Sequence, residues 1–325
     1  MRKTSKYQFE MVSLEELVSP AHEYREHHEL INFDYITVDL RKKAQSSNYE
    51  AYGITSLFCC LLLQVMEDLS DRQLERYLQD STTARWFCGF GLADDTPTYS
   101  TFSKTRKKIG TSRLSKLFIK VRKRLEKKGF IREVFNFVDA SDLIAKSNLW
   151  KERDQAIAQK YEKLNNETLP KVAVDKEARI GVKGKNKFWY GYKKHVSVDM
   201  QSGLINKVAI TPANVTDAKG LKHVCPNKGV VFADKAYCTK DAQKIIKSKS
   251  CEDGSIKKNN MDGKNKDLDK WRTRMRMPYE GVFSKTNQRV RYRGIMKNQF
   301  FAFLEALVHN IKRLVVLEAQ PIFAT

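Results

Sequence analysis

The chain has 325 residues, with 60 Lys+Arg against 38 Asp+Glu and a formal net charge of +22 at pH 7. At 41% hydrophobic and 30% charged residues it is globular in composition and long enough for two domains. The charge excess costs self-repulsion unless something acidic neutralises it, so a polyanionic partner is expected. Three classes are disfavoured. The longest apolar run, ITSLFCCLLLQVM at 54–66, is too short to cross a bilayer. No apolar stretch follows the charged N-terminus, and the six cysteines lack CxxC or Cys/His finger spacing. Secretion, membrane spanning and a structural zinc site are therefore set aside, and a cytoplasmic, nucleoid-associated protein with reduced thiols is expected.

Residues 1–100 hold 10 Lys+Arg and 16 Asp+Glu, residues 101–130 hold 12 and 1, and residues 131–325 hold 38 and 21. Basic character thus switches on near residue 101, an asymmetry a uniformly solvated surface does not produce. Residues 1–130 read as a helical domain. Ser13, Ser70, Ser100 and Ser112 each precede a helix-like pattern and are candidate N-caps. The 54–66 segment would be the central helix, and Leu74 and Leu78 the inward face of the next. Leu114, Leu117, Phe118, Val121 and Leu125 form a stripe on a helix that Gly129 stops.

From 131 the period changes. VFNFVDAS at 134–141 and KFWYGYKKHVSVDMQSGLINKVAIT at 187–211 are aromatic and β-branched, with Gln201, Ser202 and Gly203 as a hairpin turn, and GVVFAD at 229–234 reads as a buried strand. Helices are expected at 239–248, about 278–292 and 297–318, the last with Phe300, Phe303, Leu304, Leu307, Ile311 and Leu314 as its apolar stripe. The polar segments 149–187 and 249–272 read as surface. The fold class is α/β: a mixed sheet covered by helices in residues 131–325, preceded by an all-helical domain.

Three acids stand out. Asp139 ends the apolar run FNFV and Asp234 ends GVVFA; a carboxylate leaving a buried strand is expensive unless paired or ligated. Two such strands side by side would suit a hard divalent cation. Glu280 follows Pro278, read as a helix start. A single acid after a strand is as readily a turn or cap residue, and Asp142, Asp199 and Asp217 are rivals.

With their surroundings these acids resemble the DDE transposases of bacterial insertion sequences, most closely insertion-sequence family five within the family-four superfamily. The likeness is carried by VDAS at 138–141, GYKKHVSVD at 191–199, TPANVTDAKGL at 211–221, ADKAY at 233–237, RMPYEGVFSK at 276–285 and RYRGIMKNQ at 291–299. LSDRQLERYL at 69–78, RWFCGFGL at 85–92 and DDTPTYSTFSKTRKKIG at 94–110 extend it through the first half. The resemblance implies an RNase H-like catalytic domain in which Asp139, Asp234 and Glu280 are catalytic and hold two Mg²⁺, with Mn²⁺ as a substitute. It implies cleavage and strand transfer at the element's terminal inverted repeats, on double-stranded DNA and as a homodimer. Arg276 matches the arginine four residues before the glutamate. Thr273 stands where the family has tyrosine and Asn287 where it has lysine, with Lys285 and Arg289 nearby.

DNA contacts are expected from Lys104, Lys107 and Lys108 on a candidate recognition helix at 101–110, and from Arg276, Lys285, Arg289, Arg291 and Arg293. KGKNKFWYGYKK at 183–194 interleaves five Lys with four aromatics. That pattern is compatible with phosphate contact and base stacking, although the core is the favoured place for Phe188 and Tyr190, and His195 reads as packed rather than ligating. Two alternatives stay open: a catalytically inactive DNA-binding protein derived from a transposase, and a stand-alone RNase H-like nuclease.

Overall fold

Ser13 and Ser70 start their helices as reciprocal capping boxes with Glu16 and Gln73, the side chain of each partner bonding the other's backbone N–H. The structure, a computed structural model, describes residues 11–41, 52–146, 165–184, 187–259, 261, 263–284 and 289–319. The chain forms two compact units, Met1–Arg113 and Leu114–Thr325.

The first unit is helical: α1 Leu14–Leu17, α2 Glu23–Leu30, α3 Phe33–Arg41, α4 Ile54–Met66, α5 Asp71–Asp80 and α6 Thr82–Cys88. The apolar segment is the central helix, with Leu57 to Gln64 buried without a break. A helix apolar all round has to be surrounded; α5 and α6 lie against it, and their Leu74, Leu78 and Phe87 are each 0% exposed. The next segment, α7 Tyr99–Lys127, is two helices joined at Gly110, whose φ of 69° suits glycine. Ser100 and Ser112 fall inside these helices rather than before them, which corrects both as N-caps; Ser81, not foreseen, caps α6 through the Ala84 amide at 3.2 Å. Past Lys127, Gly129 closes the helix, with the Phe130 amide returning to the Leu125 carbonyl at 3.0 Å.

The second unit is built on a six-stranded sheet: β1 Phe135–Ile144, β2 Arg179–Lys183, β3 Lys187–Asp199, β4 Ile205–Pro212, β5 Gly229–Phe232 and β6 Cys251–Asp253. β1 lies between antiparallel β3 and parallel β5; β2 and β4 pair with successive stretches of β3, and β6 extends the parallel edge. This is the RNase H-like mixed sheet that the resemblance implies. Alternate residues of β1 feed two cores. Val138 joins a cluster with Ala218, Leu221, Val231 and Ile246, drawn partly from α9 Asp217–Val224 and α10 Lys240–Ser248. Phe137 packs on the other face with Phe232, Met275 and Tyr279, two of them from α11 Lys266–Ser284. The last helix, α12 Ile295–Glu318, buries the stripe expected of it and binds β4 through Gln299 and Asn310, which accept from the Ile210 and Ile205 amides.

Four details depart from the sequence reading. β2, the short α8 Leu169–Val172 and β6 arise in segments read as plain surface. β1 runs on to Ile144, so Asp139 lies mid-strand; the long antiparallel partner β3 continues the pairing past the carboxylates. The helix carrying Glu280 begins at Lys266, where the Asn265 side chain accepts from the Asp267 and Leu268 amides at 3.0 Å. Pro278 therefore sits inside the helix and Glu280 near its end; only one helical hydrogen bond is lost, and Trp271, Met275 and Tyr279 continue the apolar stripe across it.

Gly191 marks a close approach of β1 and β3. A Cβ on Gly191 would lie 1.9 Å from the Leu143 carbonyl oxygen, so Gly191→Ala has to push β1 and β3 apart. We expect it to lower unfolding free energy by about 1–3 kcal/mol, read as a lower urea midpoint at unchanged slope.

Candidate active site

Asp139 is presented by β1 within reach of Arg276, Asp217 and Asp234, and its Oδ1 accepts the Ala140 amide at 2.8 Å. Asp234 stands just past β5, where it caps the 3₁₀ turn Lys235–Tyr237. Glu280 comes from α11 together with Arg276 one turn earlier. The Arg276 guanidinium organises the three: Nη1 is 4.0 Å from Asp234 Oδ1, Nη2 is 3.6 Å from Glu280 Oε1, and its charge also acts on Asp139. The sequence reading puts Arg276 among the DNA contacts. In the structure its side chain is buried, lies 5.4 Å from the Phe137 ring centre and faces carboxylates.

One guanidinium does not neutralise three acids. Burial pushes the Asp139 carboxyl up to about 6, with Asp217 and Asp234 adding to the rise and the Ala140 amide and Arg276 opposing it. Asp234 and Glu280 are 52% and 56% exposed, open to a solvent-borne ion. Oxygen-only donors, one on a strand, one on a turn and one on a helix, fit a hard divalent cation in kind. Among the described residues no three His, Cys, Asp or Glu side chains are already close enough to hold one ion.

The rival acids are accounted for. Asp142 pairs with Lys187 at 2.7 Å. Asp199 is buried as a loop anchor, accepting from the backbone of Arg132, Glu133, Gln201 and Ser202. Asp217 pairs with Lys193 at 2.8 Å yet still acts on Asp139, which makes it the acid the sequence reading undervalued. His195 is fully buried and hydrogen-bonds Thr211 at 2.8 Å; burial, followed by Lys193, drops its pKa to about 3. It is a neutral packed residue.

The basic side chains divide. Lys104 and Lys107 are exposed, while Phe102, Thr105 and Ile109 are buried and Arg106 binds Asp71. Lys108 is half-buried, its pKa lowered by desolvation and by Arg113, so it is not on the outer face assigned to it. Arg289 and Arg293 are exposed; Arg291 is half-buried, 5.2 Å from the Phe301 ring centre. Lys285 and Asn287 lie outside the described residues. Thr273 bonds back to the Asp269 carbonyl at 2.8 Å. Phe188 is 63% exposed, against the core position expected of it, because the β2–β3 hairpin outruns the sheet beneath it; Tyr190 is buried, as expected.

Residues 137–311, a range that includes Asp139, Asp234 and Glu280, match the family model "Transposase DDE domain". The chain belongs to that family. Residues 12–108 of this DDE transposase-family chain match a second model, "Transposase domain (DUF772)". The transposase for insertion sequence element IS1106 of Neisseria meningitidis serogroup B is 28% identical over 148 residues, 45% of this chain and 50% of that protein. The chain thus spans half the length of that curated relative. The crystal structure of a pre-cleavage Mos1 transpososome aligns over 84% of this chain and 81% of its own at 8% identity, with a TM-score of 0.18, a level that carries no structural argument. No helix among the described residues is long and apolar enough to cross a membrane.

Proposed function

We propose that the chain is an insertion-sequence transposase of the family-five type, which binds the terminal inverted repeats of its element and carries out metal-dependent cleavage and strand transfer. The observation that supports this most is the meeting of Asp234 and Glu280 on Arg276, with Asp139 in the same field. Enzymes acting on the slowest phosphoester reactions supply on the order of 20 kcal/mol, beyond the roughly 10²–10⁴-fold that a side-chain base contributes. Divalent cations, Mg²⁺ or Mn²⁺, would supply the rest when bound, through activation of water or a 3′-hydroxyl and stabilisation of the leaving oxygen. Asp139, Asp234 and Glu280 are the residues that would hold them. Arg276 keeps these acids together before loading, and its buried stem fixes where the cluster forms. Unloaded, the acids repel phosphate, so the lysines and arginines elsewhere have to bring DNA in. Exposed Lys104 and Lys107 are one such contact, Arg289 and Arg293 another, in residues 1–130 and 131–325 respectively. The DNA-bound form is proposed as a homodimer in the cytoplasm.

The test is incubation of the full chain with DNA carrying the ends of its element and Mg²⁺. Joined products support the proposal. Cleavage without joining favours a stand-alone nuclease, and binding without either favours an inactive DNA-binding protein. For binding, each neutralised phosphate steepens the fall of log affinity with log salt by about 0.9. Lys104→Ala with Lys107→Ala is therefore expected to flatten that slope by about 1.8 in a salt titration. An unchanged slope, with unchanged discrimination against random DNA, removes this helix from the interface.

A further inference from the structure

Beneath the acids lies a group that the mechanism does not use. Tyr237 is 1% exposed, and its hydroxyl has no hydrogen-bond partner among the described residues. A buried phenol left unbonded is costly, and native proteins rarely keep one without a use for it. Its position ties it to all three neighbouring acids. The Tyr237 amide donates to the Asp234 carbonyl at 3.0 Å, and its ring belongs to the cluster containing Val138 and Ala218, the residues beside Asp139 and Asp217. Burial, then the negative fields of Asp139, Asp217 and Asp234, push the phenol well above its ordinary pKa, so it stays a neutral O–H donor. Asp217 is itself anchored at 2.8 Å by Lys193, which is buried. A neutral donor and an anchored acid therefore both lie within the electrostatic reach of Asp139.

We infer that Tyr237 is a positioning residue: its hydroxyl donates to the Asp139–Asp217 carboxylate pair, directly or through one water, and with Lys193-anchored Asp217 orients Asp139 toward the bound cations. This rests on the metal-site reading above. Nothing covalent is involved; the hydroxyl gains an acceptor and the Asp139 carboxylate loses rotational freedom. Groups that orient metal ligands are typically worth 10–100-fold in metal affinity.

The experiment is calorimetric titration of the full chain with Mn²⁺, without DNA, for the wild type, Tyr237→Phe and Asp234→Asn, with a thermal melt of each metal-free protein. Phenylalanine keeps the ring in its core. The expected result is Mn²⁺ affinity 10–100-fold weaker in Tyr237→Phe, with the metal-free melting temperature unchanged or raised, because an unbonded hydroxyl has been removed from the interior. A lowered melting temperature with unchanged Mn²⁺ affinity shows a purely structural hydroxyl and overturns the inference. Mn²⁺ binding that Asp234→Asn does not weaken overturns the metal site itself, and the role of Tyr237 with it. Binding sensitive to Asp234→Asn but indifferent to Tyr237→Phe overturns the role of Tyr237 alone. If Tyr237→Phe does not fold, Asp217→Asn takes its place: weakened Mn²⁺ binding supports the inference, and unchanged binding overturns it.

Discussion

Asp234→Asn is expected to reduce Mg²⁺-dependent DNA cleavage by more than about a hundredfold while leaving DNA affinity intact. Outer groups that merely orient a metal's ligands cost up to about a hundredfold when removed, so the loss of a charged ligand has to cost more. The substitution is nearly isosteric, and the asparagine oxygen can still accept the Lys235 amide that Asp234 caps, so the turn survives. Among the described residues the exposed Asp234 side chain holds one 4.0 Å ion pair, to Arg276, and global stability should move little. DNA affinity should hold or rise slightly, since a negative charge facing phosphate is gone. Single-turnover cleavage and a binding isotherm on the same DNA separate the two effects. Cleavage at the wild-type rate would take Asp234 off the catalytic list; parallel loss of binding would assign it to DNA or fold instead.

Where the hydrophobic period was strong, the fold was legible. The helices at 54–66 and 295–318 and the strands of 187–212 follow from uninterrupted apolar stripes or alternation, which burial enforces. The errors have physical causes. β2 and β6 are short edge or near-edge strands, held by pairing rather than by their own apolar residues, so Arg179–Lys183 and Cys251–Asp253 look like polar loop. Pro278 suggested a helix start because proline suits that position, yet the true start is an asparagine cap 13 residues earlier in the chain. Ser100 and Ser112 have cap chemistry without cap geometry. Phe188 has a core residue's chemistry but stands where the hairpin leaves the sheet.

For the site, sequence order placed Asp139, Asp234 and Glu280 in view, but not what lies among them. The pairing of Asp142 with Lys187 is a cross-sheet contact that no spacing reveals. The closeness of Asp217 to Asp139 depends on α9 packing across β1 through Val138, Ala218 and Leu221. Arg276 shows the same limit. Its spacing from Glu280 puts it on the glutamate's face of the helix, but its place over the Phe137 ring and beside Asp234 comes only from the packing of α11 on the sheet.

Burial of Asp139, with the acids around it, makes metal-free stability depend on pH in an unusual direction. The Asp139 carboxyl is raised from 3.8 to about 6, first by burial and then by Asp217 and Asp234. For a carboxyl raised on folding, the folded state binds the extra proton. The stabilising contribution is therefore complete below about 3.8 and is lost as pH rises through about 6. Ionising such a group at neutral pH forfeits about 3 kcal/mol. Asp139→Asn cannot ionise, so in chelator it is expected to gain on the wild type between pH 4.5 and 7.5 by about 2–3 kcal/mol, with no catalytic activity at any pH. Groups with depressed values, such as Glu15 and buried His195, act alike in both proteins and cancel in the difference. Urea denaturation of the two proteins across this range measures it, and a difference independent of pH would show that Asp139 is not held protonated by its surroundings. Added Mg²⁺ should stabilise the wild type at pH 7.5 and not the variant, since a cation that binds only the folded, ionised cluster offsets what burial and the neighbouring acids cost.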